Sequence, residues 1–233
     1  MIDINYHGPV VVFDLDDTLF RERDYCRSGF RHILKNAEKT LDAVPDALFE
    51  EMNDALTARL NPFDVYERVL KPLYEAKGEE WKLDRHIALY RSHLPQISLV
   101  DGARELLDFL QAAGIKTGIV TDGRSLSQRN KIKALGLDVY MPDCNILISE
   151  ETGCDKTSPE LFSHFVRQYP EARQFIYIGD NPAKDFFNPN LLGWTTVMVA
   201  RHPDNVHSQA LPDDSIYQPQ ITVESLRDIK KII

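Results

Sequence analysis

The stretch that most narrows what this chain can fold into is Val10–Phe20, VVVFDLDDTLF. Val10 to Phe13 form an unbroken apolar run, mostly β-branched, which reads as a strand buried on both faces of a parallel sheet. The run stops at Asp14, and Asp16, Asp17 and Thr18 follow. Side chains alternate along a strand, so Asp14 and Asp16 are expected to point the same way just past its carboxyl end. Two carboxylates held that close repel each other unless a cation or a shared proton intervenes. A polar turn after a buried strand would also use Asp, so the rest of the chain decides between a turn and a site.

Charge limits the partners. Thirty-six acidic against 27 basic residues give a net charge of −9, which makes nucleic acid or an anionic membrane a poor non-specific partner. An anionic ligand would need local cations or a bound metal to reverse the field. The 233 residues suffice for one large domain or for a core with a smaller accessory domain. Cys26, Cys144 and Cys154 are odd in number and lack zinc-type spacing, which reads as reduced thiols in a cytoplasmic protein. The start, MIDINYHGP, has no signal-peptide pattern, and no run approaches the roughly 18 apolar residues of a membrane span.

After the acidic turn the pattern turns helical. Apolar stripes run from Phe30 to Leu41, Leu48 to Leu60, Val65 to Tyr74 and, more weakly, Leu83 to Leu94, with Pro45, Pro62, Gly78 and Pro95 at the breaks. Four amphipathic helices with no strand between them can bury their stripes as a small bundle, an inserted module over 21–97. From Leu99 onward strand and helix alternate. Strands are expected at 115–120, 145–149, 175–178 and 194–200. Helices are expected at 101–113, at 125–135, at 223–233 and after Ser158-Pro159-Glu160, where the Ser158 hydroxyl is expected as the cap, with proline in the first turn and then an acid. That alternation implies a parallel sheet covered on both faces.

In such sheets the ligand lies beyond the carboxyl ends of the strands. Asp14 and Asp16 end the first strand, Thr121 the second and Asp180 the fourth, while Lys156 precedes a helix N-terminus. Three carboxylates, a hydroxyl and an ammonium on one edge suit a hard divalent cation together with a phosphate.

These residues carry a resemblance to the haloacid dehalogenase-like (HAD) hydrolase superfamily. Asp14-Leu15-Asp16-Asp17-Thr18 matches its DxDxT motif, Thr121 its second motif, Lys156 its third, and Gly179 to Asp185 its GDxxxxD motif. The resemblance implies a Rossmann-like parallel α/β core, 1–20 with 98–233, and an α-helical cap domain, 21–97. It further implies that Asp14 attacks phosphorus to give an aspartyl-phosphate, and that Asp16 protonates the leaving oxygen and then activates water. Mg²⁺ would be held by Asp14, Asp180 and the backbone carbonyl of Asp16. Lys156 would offset charge, Thr121 with the N–H groups near Asp122 and Gly123 would bind the phosphoryl oxygens, and Asp185 would orient the metal site.

The expected function is therefore Mg²⁺-dependent hydrolysis of a small phosphorylated metabolite. A phosphomutase of the beta-phosphoglucomutase type, or a non-enzymatic phosphoryl-ligand-binding regulator on the same fold, are the alternatives. An acid at Asp16 and one at Asp180 suit phosphoryl transfer better than carbon–halogen cleavage, where halide leaves without a proton.

Overall fold

A computed structural model of the chain describes residues 2–200, 202 and 205–233. Six strands, β1 (Pro9–Phe13), β2 (Lys116–Thr121), β3 (Ile146–Ile148), β4 (Gln174–Gly179), β5 (Thr195–Val199) and β6 (Ile221–Val223), pair in the order β3-β2-β1-β4-β5-β6. Every pairing is parallel, with Val12 opposite Gly118 on one side and Tyr177 on the other. Each residue of β1 is buried, as the unbroken apolar run predicts for the centre of a doubly covered sheet.

The chain separates into two compact units, Met1–Glu22 with Ser98–Ile233 and Arg23–Ile97. The second is all helical: α1 (Glu22–Ala37, whose first residue belongs to the other unit), α2 (Leu48–Thr57), α3 (Pro62–Ala76) and α4 (Leu83–Ser92). Its core joins Phe30, Ile33, Leu48 and Met52, from the stripes read in the sequence, with Tyr66 and Leu70. In α3 the buried face is Tyr66, Leu70 and Tyr74, one residue on from the expected Val65 and Val69, and Leu73 is exposed. Asn61 caps α3 by accepting from Phe63 N, with Pro62 in the first turn where its missing N–H has no helical partner to lose.

In the sheet unit, α5 (Ala103–Ala112), α6 (Ser125–Leu135), α7 (Ser149–Thr152), α8 (Glu160–Gln168) and α9 (Phe187–Leu191) connect the strands. Phe162 and Phe165 of α8 pack with Val10, Val12, Val120, Tyr177 and Trp194 into one core cluster on the sheet. Among the described residues, no helix is long and apolar enough to cross a membrane.

Two expectations need correction. Val223–Ile233 is no closing helix: Ile221–Val223 is a sixth strand, paired with β5, and a 3₁₀ segment Leu226–Lys231 follows. Three β-branched residues are too few to show a period, whereas Leu226 and Ile229, three apart and both buried, imitate a helical stripe. Ser158 does not cap α8 through the backbone; its hydroxyl donates to the Glu160 carboxylate instead.

Candidate active site

The strand order fixes where the site lies. Strands are added on one side of β1 as far as β3 and then on the other from β4, so the crevice between the carboxyl ends of β1 and β4 is the switch point of the sheet. Asp14 leaves β1 there, its N–H still bonded to Ile178 O at 2.8 Å. Asp180 leaves β4 beside it, and Thr121 closes β2.

Asp185 folds back under this edge. Its Oδ2 accepts from the N–H groups of Asp180 (3.0 Å) and Asn181 (2.8 Å), and its Oδ1 from Lys156 Nζ (2.7 Å) and Tyr177 OH (3.3 Å). A Cβ on residue 179 would sit inside contact distance of that carboxylate, so the close approach requires Gly179. Lys156 lies between two acids, with Nζ 2.6 Å from Asp14 Oδ1 and 2.7 Å from Asp185 Oδ1. Burial would lower its pKa, but the carboxylates of Asp14 and Asp185 outweigh burial and hold it well above the ordinary value.

Asp14, Asp180 and Asp185 are all buried, and one ligand oxygen from each lies within 4.8 Å of the others. Burial pushes the Asp14 carboxyl up to about 8, with Asp185 and Asp16 adding to the shift and Lys156 opposing it. Asp180 is pushed up to about 9 by burial and then by Asp185, Asp14 and Asp17. Three buried carboxylates against one ammonium leave excess negative charge, which a divalent cation with oxygen ligands would compensate. The donor set therefore fits Mg²⁺. Asp185 already accepts four hydrogen bonds, so Asp14 and Asp180 have the freer oxygens to offer an ion and Asp185 would support them.

One cavity of about 90 Å³ is lined by Asp14, Asp16, Thr121, Asp122, Lys156 and Asp180, the expected acids, hydroxyl and ammonium. It is far smaller than the roughly 300–1,000 Å³ of a drug-sized ligand pocket and suits a phosphoryl group and an ion. Asp122 works through its side chain: Oδ1 accepts from Lys156 N (3.0 Å) and Oδ2 from Lys184 Nζ (2.9 Å). Gly123 does not line this cavity, and its N–H donates to Ser149 Oγ at 2.9 Å.

Several polar partners escaped the sequence reading. Gln128 Nε2 donates to Asp16 Oδ2 (2.8 Å) and to Thr121 Oγ1 (2.6 Å), and Lys131 Nζ pairs with Asp16 Oδ1 at 2.7 Å. Asn205 Nδ2 donates to Asp180 Oδ2 at 3.1 Å. Asp17, at φ +53°, accepts from Glu22 N and Val206 N, which ties the first motif to the segment beyond β5. Glu22, Asn181, Lys184 and His207 complete the cavity wall. The one available signal was in α6, whose stretch Ser125–Leu135 offers too few apolar residues for an ordinary core-facing helix.

A family model described as haloacid dehalogenase-like hydrolase matches residues 9–186. A glyceraldehyde 3-phosphate phosphatase of Methanocaldococcus jannaschii is 26% identical over 235 residues, 95% of this chain and 98% of that protein. A ribulose-1,5-bisphosphate 5-phosphatase of Halopiger xanaduensis is 32% identical over 200 residues, 81% of this chain and 83% of that protein. Among solved structures, the HAD-hydrolase YfnB of Bacillus subtilis, bound to magnesium, superposes with a TM-score of 0.64 at 20% identity, covering 97% of this chain and 99% of that one. That likeness concerns the fold. The family match starts at the first residue of β1 and runs through the four motif positions gathered at the switch point, so the chain is an enzyme of the haloacid dehalogenase-like hydrolase family.

Proposed function

We propose that the protein is a Mg²⁺-dependent, cytoplasmic phosphatase that hydrolyses a small phosphorylated metabolite through an aspartyl-phosphate on Asp14. The inserted helical segment, 21–97, is read as a cap domain and 1–20 with 98–233 as the catalytic core. The observation that carries the proposal is Asp14, held at 2.6 Å by Lys156 in a buried cluster with Asp180 and Asp185, with a second acid, Asp16, on the same cavity. A nucleophile alone would serve several reactions. An acid two residues on serves one whose leaving group needs a proton.

Asp14 attacks phosphorus and the ester oxygen departs, which splits one hard displacement into two easier ones. Asp16 gives the departing oxygen its proton and then takes one from the water that opens the aspartyl-phosphate. Lys156 keeps Asp14 aimed and offsets the charge it shares with the phosphoryl group. The Thr121 hydroxyl oxygen accepts from Gln128, so its own proton is left to donate to a phosphoryl oxygen. Asp14, Asp180 and the carbonyl of Asp16 would hold Mg²⁺, which would supply positive charge to the phosphoryl oxygens and to the crowded carboxylates.

The test is a phosphate-release screen over phosphorylated metabolites, with Mg²⁺ and with chelator, beside Asp14→Asn. Triose and pentulose phosphates come first, because the relatives named above act on glyceraldehyde 3-phosphate and ribulose 1,5-bisphosphate. Turnover should need the metal and vanish in the variant. Equal activity in Asp14→Asn removes the covalent mechanism, and halide release from a 2-haloacid without phosphate release from any ester removes the reaction class.

A further inference from the structure

α6 buries what a core helix normally exposes. Ser127, Gln128 and Lys131 share its buried side with Ile132 and Leu135, and Lys131 is only 4% exposed. Removing an ammonium from water costs several kcal/mol unless it is paired and hydrogen-bonded, so a lysine here has to be doing something with a partner. That partner is Asp16. Lys131 Nζ lies 2.7 Å from Oδ1, and Gln128 Nε2 lies 2.8 Å from Oδ2. Residues three apart on a helix face the same way, so one helix grips both oxygens of one carboxylate. The grip is stiffened from below, because the same Gln128 nitrogen also donates to Thr121 Oγ1 at 2.6 Å. The Phe20 ring, with its centroid 5.7 Å from Lys131 Nζ, covers the pair.

We propose that Lys131, with Gln128, is a positioning residue for the proton transfers of Asp16; this rests on the phosphatase reading above. A carboxylate oxygen offers two lone pairs. The clamp occupies one direction at each oxygen and thereby fixes which direction is left for the proton exchanged with the leaving oxygen and, later, with water. Without the clamp Asp16 is free to turn about its side-chain bonds, and its proton no longer meets the leaving oxygen in line.

A role in proton transfer has a signature that a structural ion pair lacks. A nitrophenolate departs without a proton, whereas an alkoxide does not. The experiment compares kcat/KM for p-nitrophenyl phosphate with kcat/KM for an alkyl phosphate turned over in the screen, in wild type, Lys131→Met and Gln128→Leu. General acid–base transfer contributes about 10²–10⁴ to rate, so loss of positioning should lower the alkyl-to-nitrophenyl ratio about tenfold or more. In an Asp16→Asn background, where no transferable proton remains, Lys131→Met should leave that ratio where Asp16→Asn alone puts it.

Equal loss on both esters, or a further fall of the ratio in the double variant, overturns the proposal. If Lys131→Met shows no cooperative unfolding transition, Lys131→Arg, which keeps the charge and moves the donors, and Gln128→Leu carry the same comparison. Asp14→Asn run alongside separates the two levels. Hydrolysis that survives Asp14→Asn defeats the phosphatase mechanism, while Asp14-dependent hydrolysis with an unmoved ratio defeats the clamp alone.

Discussion

Replacing Asp185 by Asn probes the charge balance of the site through a residue proposed neither to attack nor to exchange a proton. The side chain is fully buried and takes four donors, two on each oxygen. Asn keeps the shape but accepts on one side only. If its oxygen faces the N–H groups of Asp180 and Asn181, its NH₂ faces the Lys156 ammonium; turned over, it faces those two N–H groups. Either way donors meet donors, at about 1–3 kcal/mol for each buried group left unsatisfied. Losing one partner of a buried ion pair costs about 3–5 kcal/mol. Two effects oppose this. Lys156 keeps Asp14 at 2.6 Å, and removal of a carboxylate that pushes up both Asp14 and Asp180 relieves repulsion. The balance is a destabilisation of about 2–3 kcal/mol, or a fall in Tm of about 4–12 °C for a chain of this size. The assay is tryptophan fluorescence in a Trp81→Phe background, which leaves Trp194, 2% exposed in the sheet unit, as the sole reporter. With less repulsion to relieve, added Mg²⁺ should raise Tm less in the variant than in the parent. An unchanged Tm together with an unchanged Mg²⁺ response refutes the reasoning.

Four other outcomes are expected. Asp14 and Asp180 have folded pKa values near about 8 and about 9, raised above the unfolded value of about 4. Carboxyls raised in this way favour the fold below the unfolded pKa, and that contribution is lost as pH climbs through the folded one. Tm in chelator should therefore fall from about pH 4 to about pH 9, and saturating Mg²⁺, which favours the ionised form, should flatten the slope; a slope indifferent to Mg²⁺ contradicts the cluster. Gly179→Ala forces Asp185 away from the Asp180 and Asn181 N–H groups, and urea unfolding should show a loss of about 2 kcal/mol or more, whereas a wild-type midpoint speaks against the close approach. Inorganic phosphate should bind in calorimetry with Mg²⁺ and not in chelator, and equal binding would mean that Lys156 suffices. In the helical unit, Tyr66→Phe strands His86 Nδ1, now 2.8 Å from the hydroxyl, and should cost about 1–3 kcal/mol by helical circular dichroism in urea.

What could be read in the letters follows from where each residue sits on its element. Asp14, Thr121 and Asp180 stand at the ends of apolar runs, and a run ending in a polar residue is visible without coordinates. Lys156 and Asp185 lie in loops, and only their match to ordered motifs singled them out; that Asp185 is fully buried and accepts from four donors is a tertiary fact no period encodes. Gln128 and Lys131 were hidden for the opposite reason. They lie inside a helix, where polar residues ordinarily face water, and the shortage of apolar residues in α6 does not by itself say which polar ones turn inward. Asn205 was invisible because the segment beyond β5 has no periodicity. β6 was lost because it is three residues long, and its pairing with β5 is decided by the edge it meets.

The charges explain why the site is built with so many lysines that are already occupied. Asp14, Asp16, Glu22, Asp122 and Asp180 face one cavity in a chain already at −9, and a phosphate ester brings further negative charge to it. Each lysine is committed: Lys156 to Asp14 and Asp185, Lys131 to Asp16, and Lys184 to Asp122. These pairs fix the carboxylates in place, but among the described residues they leave no lysine of the site to receive the substrate without loosening its hold on an acid. A divalent cation on Asp14 and Asp180, as proposed, would resolve this without undoing any pair, because it would add positive charge where carboxylates outnumber ammonium groups. On this account the lysines set geometry and the metal sets affinity, and that division is why metal and phosphate binding should be coupled.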